Sequence, residues 1–219
     1  MKKKLFICGY GLKPEEITLQ TLHIIKNSDI VLSDALNKKD ALKLGLKKFE
    51  NIRKNTPSQI VEIIKEKFAH YDNISFITYG NPAFLNSVTD EIFTKLKGFE
   101  ILLIPAVSSL DGIFSVFLEL NLLKNDLLII NIPKDPEDIN FNLNSDINTL
   151  IFGAENLSNK KISKFFKKIF NSTYGKKYSF YITHIKDISF ETEIIKTNIN
   201  CFHKFINEKK MLTIYIPEK

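Results

Sequence analysis

Short β-rich runs alternate with helical patterns through the first half of the chain, and this rhythm constrains the fold more than any other feature. Leu5–Cys8, Ile30–Leu32, Ile74–Thr78 and Ile101–Ile104 read as strands, while Ile17–Ile25 and Ser87–Leu96 read as amphipathic helices. Another helix opens at Asn55-Thr56-Pro57. Proline suits the first helical position, and Ile60, Ile63, Ile64 and Phe68 recur at helical spacing. Strand–helix alternation implies a parallel sheet with helices on its faces, and such a sheet presents its ligand site at the carboxyl ends of its strands. The loops around Gly9, Tyr79 and Pro105, each following a strand, are therefore expected to converge on one crevice.

A helix over Asp111–Leu120 leads to the polar stretch Asn121–Asp126, which reads as a linker. A second alternation follows, with strands at Leu128–Ile132 and Leu150–Phe152, a helix over Lys160–Phe170, and strands at Ser179–Thr183 and Leu212–Ile216. Phe190–Lys196 alternates with period two, as a half-exposed antiparallel strand does. The expected architecture is α/β with two α/β lobes. A parallel-sheet N-terminal lobe occupies residues 1–120, a mixed-sheet C-terminal lobe occupies 121–219, and a ligand cleft lies between them.

Bulk properties exclude several classes. The 219 residues are 44% apolar and 26% charged, which suits a globular chain rather than a disordered one. No apolar run approaches the ~20 residues of a membrane span. Cys8 and Cys201 are too few for a disulfide framework, and the four histidines lie far apart, so a reduced, cytoplasmic protein without metal or membrane association is expected. The net charge of +6 is scattered lysine, which argues against nucleic-acid binding. Lys and Arg total 31, and Arg53 is the only arginine. In a chain so biased towards lysine, a retained guanidinium points to a need for its planar fork of donors.

Three loops carry the chemistry. Gly9-Tyr10-Gly11 lets the backbone approach a ligand closely, but the third glycine of a dinucleotide fingerprint would fall at Pro14, so a nicotinamide site is disfavoured. Tyr79-Gly80-Asn81-Pro82-Ala83-Phe84-Leu85 forms a turn directly after a strand. In Pro105-Ala106-Val107-Ser108-Ser109 the two hydroxyls either cap the following helix or bind a carboxylate at its positive end.

Taken together, Gly9-Tyr10-Gly11-Leu12, Ile17-Thr18-Leu19, Asp29-Ile30-Val31-Leu32 with Asp34, Gly80-x-Pro82, Pro105-x-Val107-Ser108 and the closing Thr213-Ile214-Tyr215-Ile216-Pro217 resemble the tetrapyrrole methylase superfamily in order and spacing. The resemblance implies an S-adenosylmethionine-dependent methyltransferase, with the cofactor folded between two α/β lobes. Tyr79-Gly80-x-Pro82, Ser108-x-x-Asp111-x-x-Phe114 and the Tyr215-Ile216-Pro217 ending are most similar to the borosin peptide-backbone N-methyltransferases. That likeness implies a homodimer acting on a separate peptide or protein substrate.

It also assigns roles. Arg53 and Tyr79 are the expected catalytic residues, and Gly9, Gly11, Tyr79, Gly80, Asn81, Phe84, Leu85, Ser108, Ser109 and Thr213 are the expected cofactor contacts. The chain departs from the borosin pattern at Lys47 and Pro57, where tyrosines flank the arginine, and at Ala106, which replaces a glycine. Two alternatives stand beside this reading: methylation of a tetrapyrrole precursor or other small molecule, and a non-catalytic homologue that binds the cofactor or a partner.

Overall fold

Strand β1 (Lys4–Gly9) lies inside a five-stranded sheet in the computed structural model, which describes residues 3–122, 126–185, 192–206 and 211–219. The remaining elements of the N-terminal half are α1 (Leu19–Asn27), β2 (Ile30–Ser33), α2 (Lys38–Lys43), β3 (Phe49–Asn51), α3 (Pro57–Lys67), β4 (Asn73–Thr78), α4 (Ser87–Lys95), β5 (Glu100–Ile104) and α5 (Ser109–Glu119). All pairings are parallel, in the order β3-β2-β4-β1-β5. Alternate strand residues feed two cores. Leu5, Ile7, Leu32, Ile74 and Phe76 pack with Ile60, Ile64, Val88 and Ile92 of α3 and α4. Cys8, Val31, Ile77 and Ile104 pack with Ile25 of α1 and Ala41 of α2. A period-two strand covered on both faces in this way reads as continuously apolar.

The strand order positions the site. From β1 the chain crosses by α1 to β2 on one face of the sheet, whereas from the neighbouring β4 it crosses by α4 to β5 on the other. Adjacent strands whose exits diverge to opposite faces open a crevice at their carboxyl ends. Helix starts are chemically marked. Thr56 and Gln59 form a reciprocal capping box ahead of α3, with Pro57 at the first helical position. Thr18 caps α1, so that helix begins two residues after Ile17 rather than at it.

The chain divides into two compact units, residues 1–112 and 113–219, so the division falls within α5 rather than in the polar stretch after it. The C-terminal unit contains β6 (Leu127–Asn131), β7 (Asn148–Phe152), α6 (Lys160–Thr173), β8 (Ser179–Ile185), β9 (Thr192–Asn198), α7 (His203–Ile206) and β10 (Leu212–Ile216). Its sheet is mixed, in the order β6-β7-β10-β8-β9, with β6 and β7 parallel and the other pairs antiparallel. Ile162, Phe166 and Phe170 of α6 cover one face, against Phe180, Ile182, Ile214 and Ile216. On the other face Phe117 meets Tyr215 at 4.6 Å between ring centroids. Burial pushes the Tyr215 phenol up to about 12, and its hydroxyl bonds to the Leu122 carbonyl and, at 2.8 Å, to Asn148 Oδ1. Of the expected strand Phe190–Lys196, positions 190 and 191 lie outside the described residues.

Candidate active site

Gly9 ends β1 at the point where the three loops meet. A methyl group built on its Cα would lie 2.3 Å from the Gly80 carbonyl oxygen, 2.7 Å from Ala106 Cβ and 2.9 Å from Pro82 Cδ. One residue thus touches the second and third loops simultaneously, and only glycine fits there. The convergence expected from strand alternation is present. Gly80 N–H donates to the Gly11 carbonyl at 2.9 Å, and Tyr10 N–H to the Thr78 carbonyl at 3.2 Å, so the first two loops are also tied by backbone. Gly11 (φ +86°) and Gly80 (φ +66°) take the left-handed conformation that glycine adopts without penalty. Leu85 adopts it too, at φ +49°, with half of its surface exposed; backbone strain of this kind collects at functional sites.

The other expected contacts divide by what holds them. The Asn81 side-chain oxygen accepts from Ala83 N–H at 3.0 Å, which builds the turn itself. Tyr79 packs edge-on against Tyr10, ring centroids 5.9 Å apart, and Phe84 is half-buried on the same loop. Ser108 is buried, and its N–H and hydroxyl both donate to Asp111 Oδ2 at 2.7 Å, which lowers the Asp111 carboxyl below its ordinary range. Asp111 N–H returns a bond to Ser108 Oγ at 3.4 Å. Capping is therefore what occupies the Ser108 hydroxyl, while Ser109 stands half-buried as the first residue of α5. Thr213 belongs to β10 of the C-terminal unit, is buried, and accepts from Thr183 Oγ1 through its carbonyl at 3.2 Å.

Arg53 follows β3, and its backbone N–H donates to Asn51 Oδ1 at 3.1 Å. The side chain is exposed and makes no ion pair among the described residues. Its charge reaches Asp34, one residue beyond β2. A single aspartate carries no spacing signal in the sequence; the meaning of Asp34 comes from burial. Desolvation pushes its carboxyl up to about 6 from 3.8, against the opposing pull of a Thr78 hydrogen bond, its own backbone and the Arg53 guanidinium. Thr78 Oγ1 donates to Asp34 Oδ2 at 3.4 Å, while Oδ1 is buried and has no hydrogen-bond partner among the described residues. A carboxyl tuned towards neutrality beside a cation at a sheet's carboxyl edge is equipped for proton transfer.

The model of the tetrapyrrole (corrin/porphyrin) methylases matches residues 4–126, more than half of the chain. The chain belongs to the tetrapyrrole methylase family. It is accordingly an S-adenosylmethionine-dependent methyltransferase. No curated protein matches it in sequence. Among solved structures it is similar to the cobalamin biosynthetic enzyme cobalt precorrin-4 methyltransferase CbiF, at 16% identity and a TM-score of 0.69, over 97% of this chain and 94% of that one. It is similar to uroporphyrin-III C-methyltransferase from Thermus thermophilus complexed with S-adenyl homocysteine, at 13% identity and a TM-score of 0.67, over 97% of both chains. Precorrin-6Y methylase CbiE from Archaeoglobus fulgidus aligns over 100% of both chains, at 14% identity and a TM-score of 0.65. These likenesses establish the two-sheet tetrapyrrole methylase fold.

The loops fit the family's cofactor on their own geometry. The side-chain-free contact at Gly9 brings the first two loops together, and Leu85 and Val107, 49% and 36% exposed, offer apolar surface beside them. Among the described residues no group of His, Cys, Asp or Glu could hold a metal ion, and no helix is long and apolar enough to cross a membrane.

Proposed function

We propose that this tetrapyrrole methylase N-methylates backbone amides of a separate peptide, as a borosin does. The observation that carries the reading is the charge inventory of the N-terminal loops. The three loops that meet at Gly9 (residues 9–13, 79–85 and 105–109) hold one cation, Lys13, which is paired with Glu16 at 3.9 Å; Arg53 and Lys54 follow β3, and Lys38 and Lys39 open α2 after Asp34. Such loops suit a neutral amide, whereas a polycarboxylate substrate calls for several unpaired cations. The departures at Lys47 and Pro57 mean that Arg53 would work without flanking tyrosines.

The cofactor supplies a methyl group on a sulfonium, an electrophile that needs no metal. Gly9, Gly11 and the Tyr79–Leu85 loop would hold it, with Ser109 at its polar end. The chain's own residues deal with the amide. Nitrogen becomes nucleophilic only when its proton leaves and charge moves onto the carbonyl oxygen. Asp34 takes that proton, and the Arg53 guanidinium, donating to the carbonyl oxygen, stabilises the imidate-like charge. Tyr79 lines the substrate side. Removing such a preorganised donor typically costs ~10²–10³ in rate.

The test is co-expression of the chain with the products of short open reading frames beside its gene, followed by intact-mass spectrometry. Peptide mass increments of one methyl group each are expected, reduced by ~10²–10³ in rate for Arg53→Lys. Unmodified peptides, together with methylation of uroporphyrinogen III by the purified chain, would favour the second reading, a tetrapyrrole precursor. That reading rests on the named activities of the similar solved proteins.

A further inference from the structure

Asn86 lies one residue before α4 and caps it: its Oδ1 accepts from the Val88 and Thr89 N–H groups, each at 3.1 Å. Those two bonds fix the orientation of the side-chain amide, because the atom facing backbone donors must be oxygen. Nδ2 is thereby turned the other way, and it donates to Thr78 Oγ1 at 3.0 Å. Thr78, 2% exposed at the end of β4, has its oxygen occupied by that donor, so its own proton points onward to Asp34 Oδ2 at 3.4 Å. The polarity runs one way from the N-terminus of α4 to the carboxylate: backbone N–H to Asn86, Asn86 to Thr78, Thr78 to Asp34. It ends on one oxygen only. Oδ2 is held by a donor, while Oδ1 is buried with no hydrogen-bond partner among the described residues.

We propose that Thr78 and Asn86 are positioning residues for methyl transfer, which hold the Asp34 carboxylate through Oδ2 in the orientation in which it takes the substrate proton. This rests on the reading of Asp34 as the general base. In the step, the substrate N–H bond would break with its electron pair left on nitrogen and the proton forming an O–H bond on the Asp34 carboxylate; that pair would bond the methyl carbon as the methyl–sulfur bond breaks, its electrons leaving on sulfur as a neutral thioether. A hydrogen bond donated to Oδ2 favours the ionised carboxylate, so the chain keeps a desolvated carboxyl able to accept a proton at neutral pH. Arg53 is the charged side chain whose field reaches Asp34, and it acts in the same direction. The two aids differ in kind: the guanidinium is exposed and screened by salt, whereas the Thr78 hydroxyl is buried and is not.

The test reads the carboxyl directly and needs no substrate. The whole chain is labelled with [¹³C]aspartate, the Asp34 carboxyl resonance is assigned by its loss in Asp34→Asn, and its chemical shift is followed against pH. In the native chain the midpoint is expected at about 6. Thr78→Val, which removes the donor at nearly constant shape, moves it to higher pH by on the order of one unit. Thr78→Ser, which restores a hydroxyl, brings it back. Asn86→Ser keeps an oxygen to cap α4 but lacks the amide donor, and it shifts the midpoint in the same direction by less. Equal midpoints in the native and Thr78→Val chains, or equal shifts in Thr78→Val and Thr78→Ser, would overturn the positioning chain. Retained methylation of the co-expressed peptide by Asp34→Asn would instead overturn the general-base reading, so the two failures are distinguishable.

Discussion

Burial holds the Asp34 carboxyl at about 6 against the ordinary 3.8, so between those values the folded chain binds more protons than the unfolded one. The sign follows: stability contributed at this site is fully present below about pH 4 and is lost as pH rises through 6. Asp34→Asn removes the ionisable group and its desolvation cost. It is expected to raise stability above pH 7 by on the order of 1–2 kcal/mol, after allowance for solvent screening at a partly exposed carboxyl. Urea titrations of both chains at pH 4 and pH 7.5 check this, with the gap closing at the lower pH. A variant that lost stability at pH 7.5 would contradict the assignment of burial as the dominant effect. Methyl transfer by the native chain should rise with pH through the same midpoint, since a base must be ionised to act. Arg53 was legible in the sequence as the lone arginine among lysines. Asp34 was not, since nothing in residue order reveals that one of its oxygens is buried without a hydrogen-bond partner among the described residues.

At the scale of elements, the apolar runs marked the strands that are buried on both faces. Leu5, Ile7, Ile74 and Phe76 sit fully buried within one residue of the expected limits. What could not be read were the short pieces: β3 is three residues, Phe49–Asn51, half-exposed at the sheet edge, and α2 is a six-residue helix of mostly charged composition. Their existence depends on pairing with β2 and on Ala41 reaching the core, which are tertiary facts. The third loop is an element-scale case too, because two hydroxyls ahead of a helix were read as either a cap or a ligand contact. Ser108 and Asp111 answer with a reciprocal cap. Ser108→Ala should therefore destabilise the chain by about 1 kcal/mol and return the Asp111 carboxyl towards its ordinary range. Denaturant unfolding, with the Asp111 titration followed by NMR, measures both. Unchanged stability would mean that the hydroxyl serves something other than α5.

At the scale of the molecule, two units with separate cores follow from two kinds of sheet. The N-terminal parallel sheet announces itself through βα alternation, whereas the C-terminal sheet mixes one parallel pair with antiparallel ones, and its strand order was not legible. Long-range pairing such as β10 between β7 and β8 leaves no local mark, although Leu212–Ile216 read as a strand from its apolar run. The placement of Gly9, Gly80, Pro82 and Ala106 against one another is likewise a product of strand order, and it brings three loops distant in sequence into the cradle proposed for the cofactor. Calorimetric titration of S-adenosyl homocysteine into the native chain and into Gly9→Ala tests that claim most directly. The native chain is expected to bind saturably, and Gly9→Ala, whose added methyl would sit 2.3 Å from the Gly80 carbonyl oxygen, to lose at least tenfold in affinity while keeping its circular dichroism spectrum. No binding by the native chain, or equal binding by both, would contradict it.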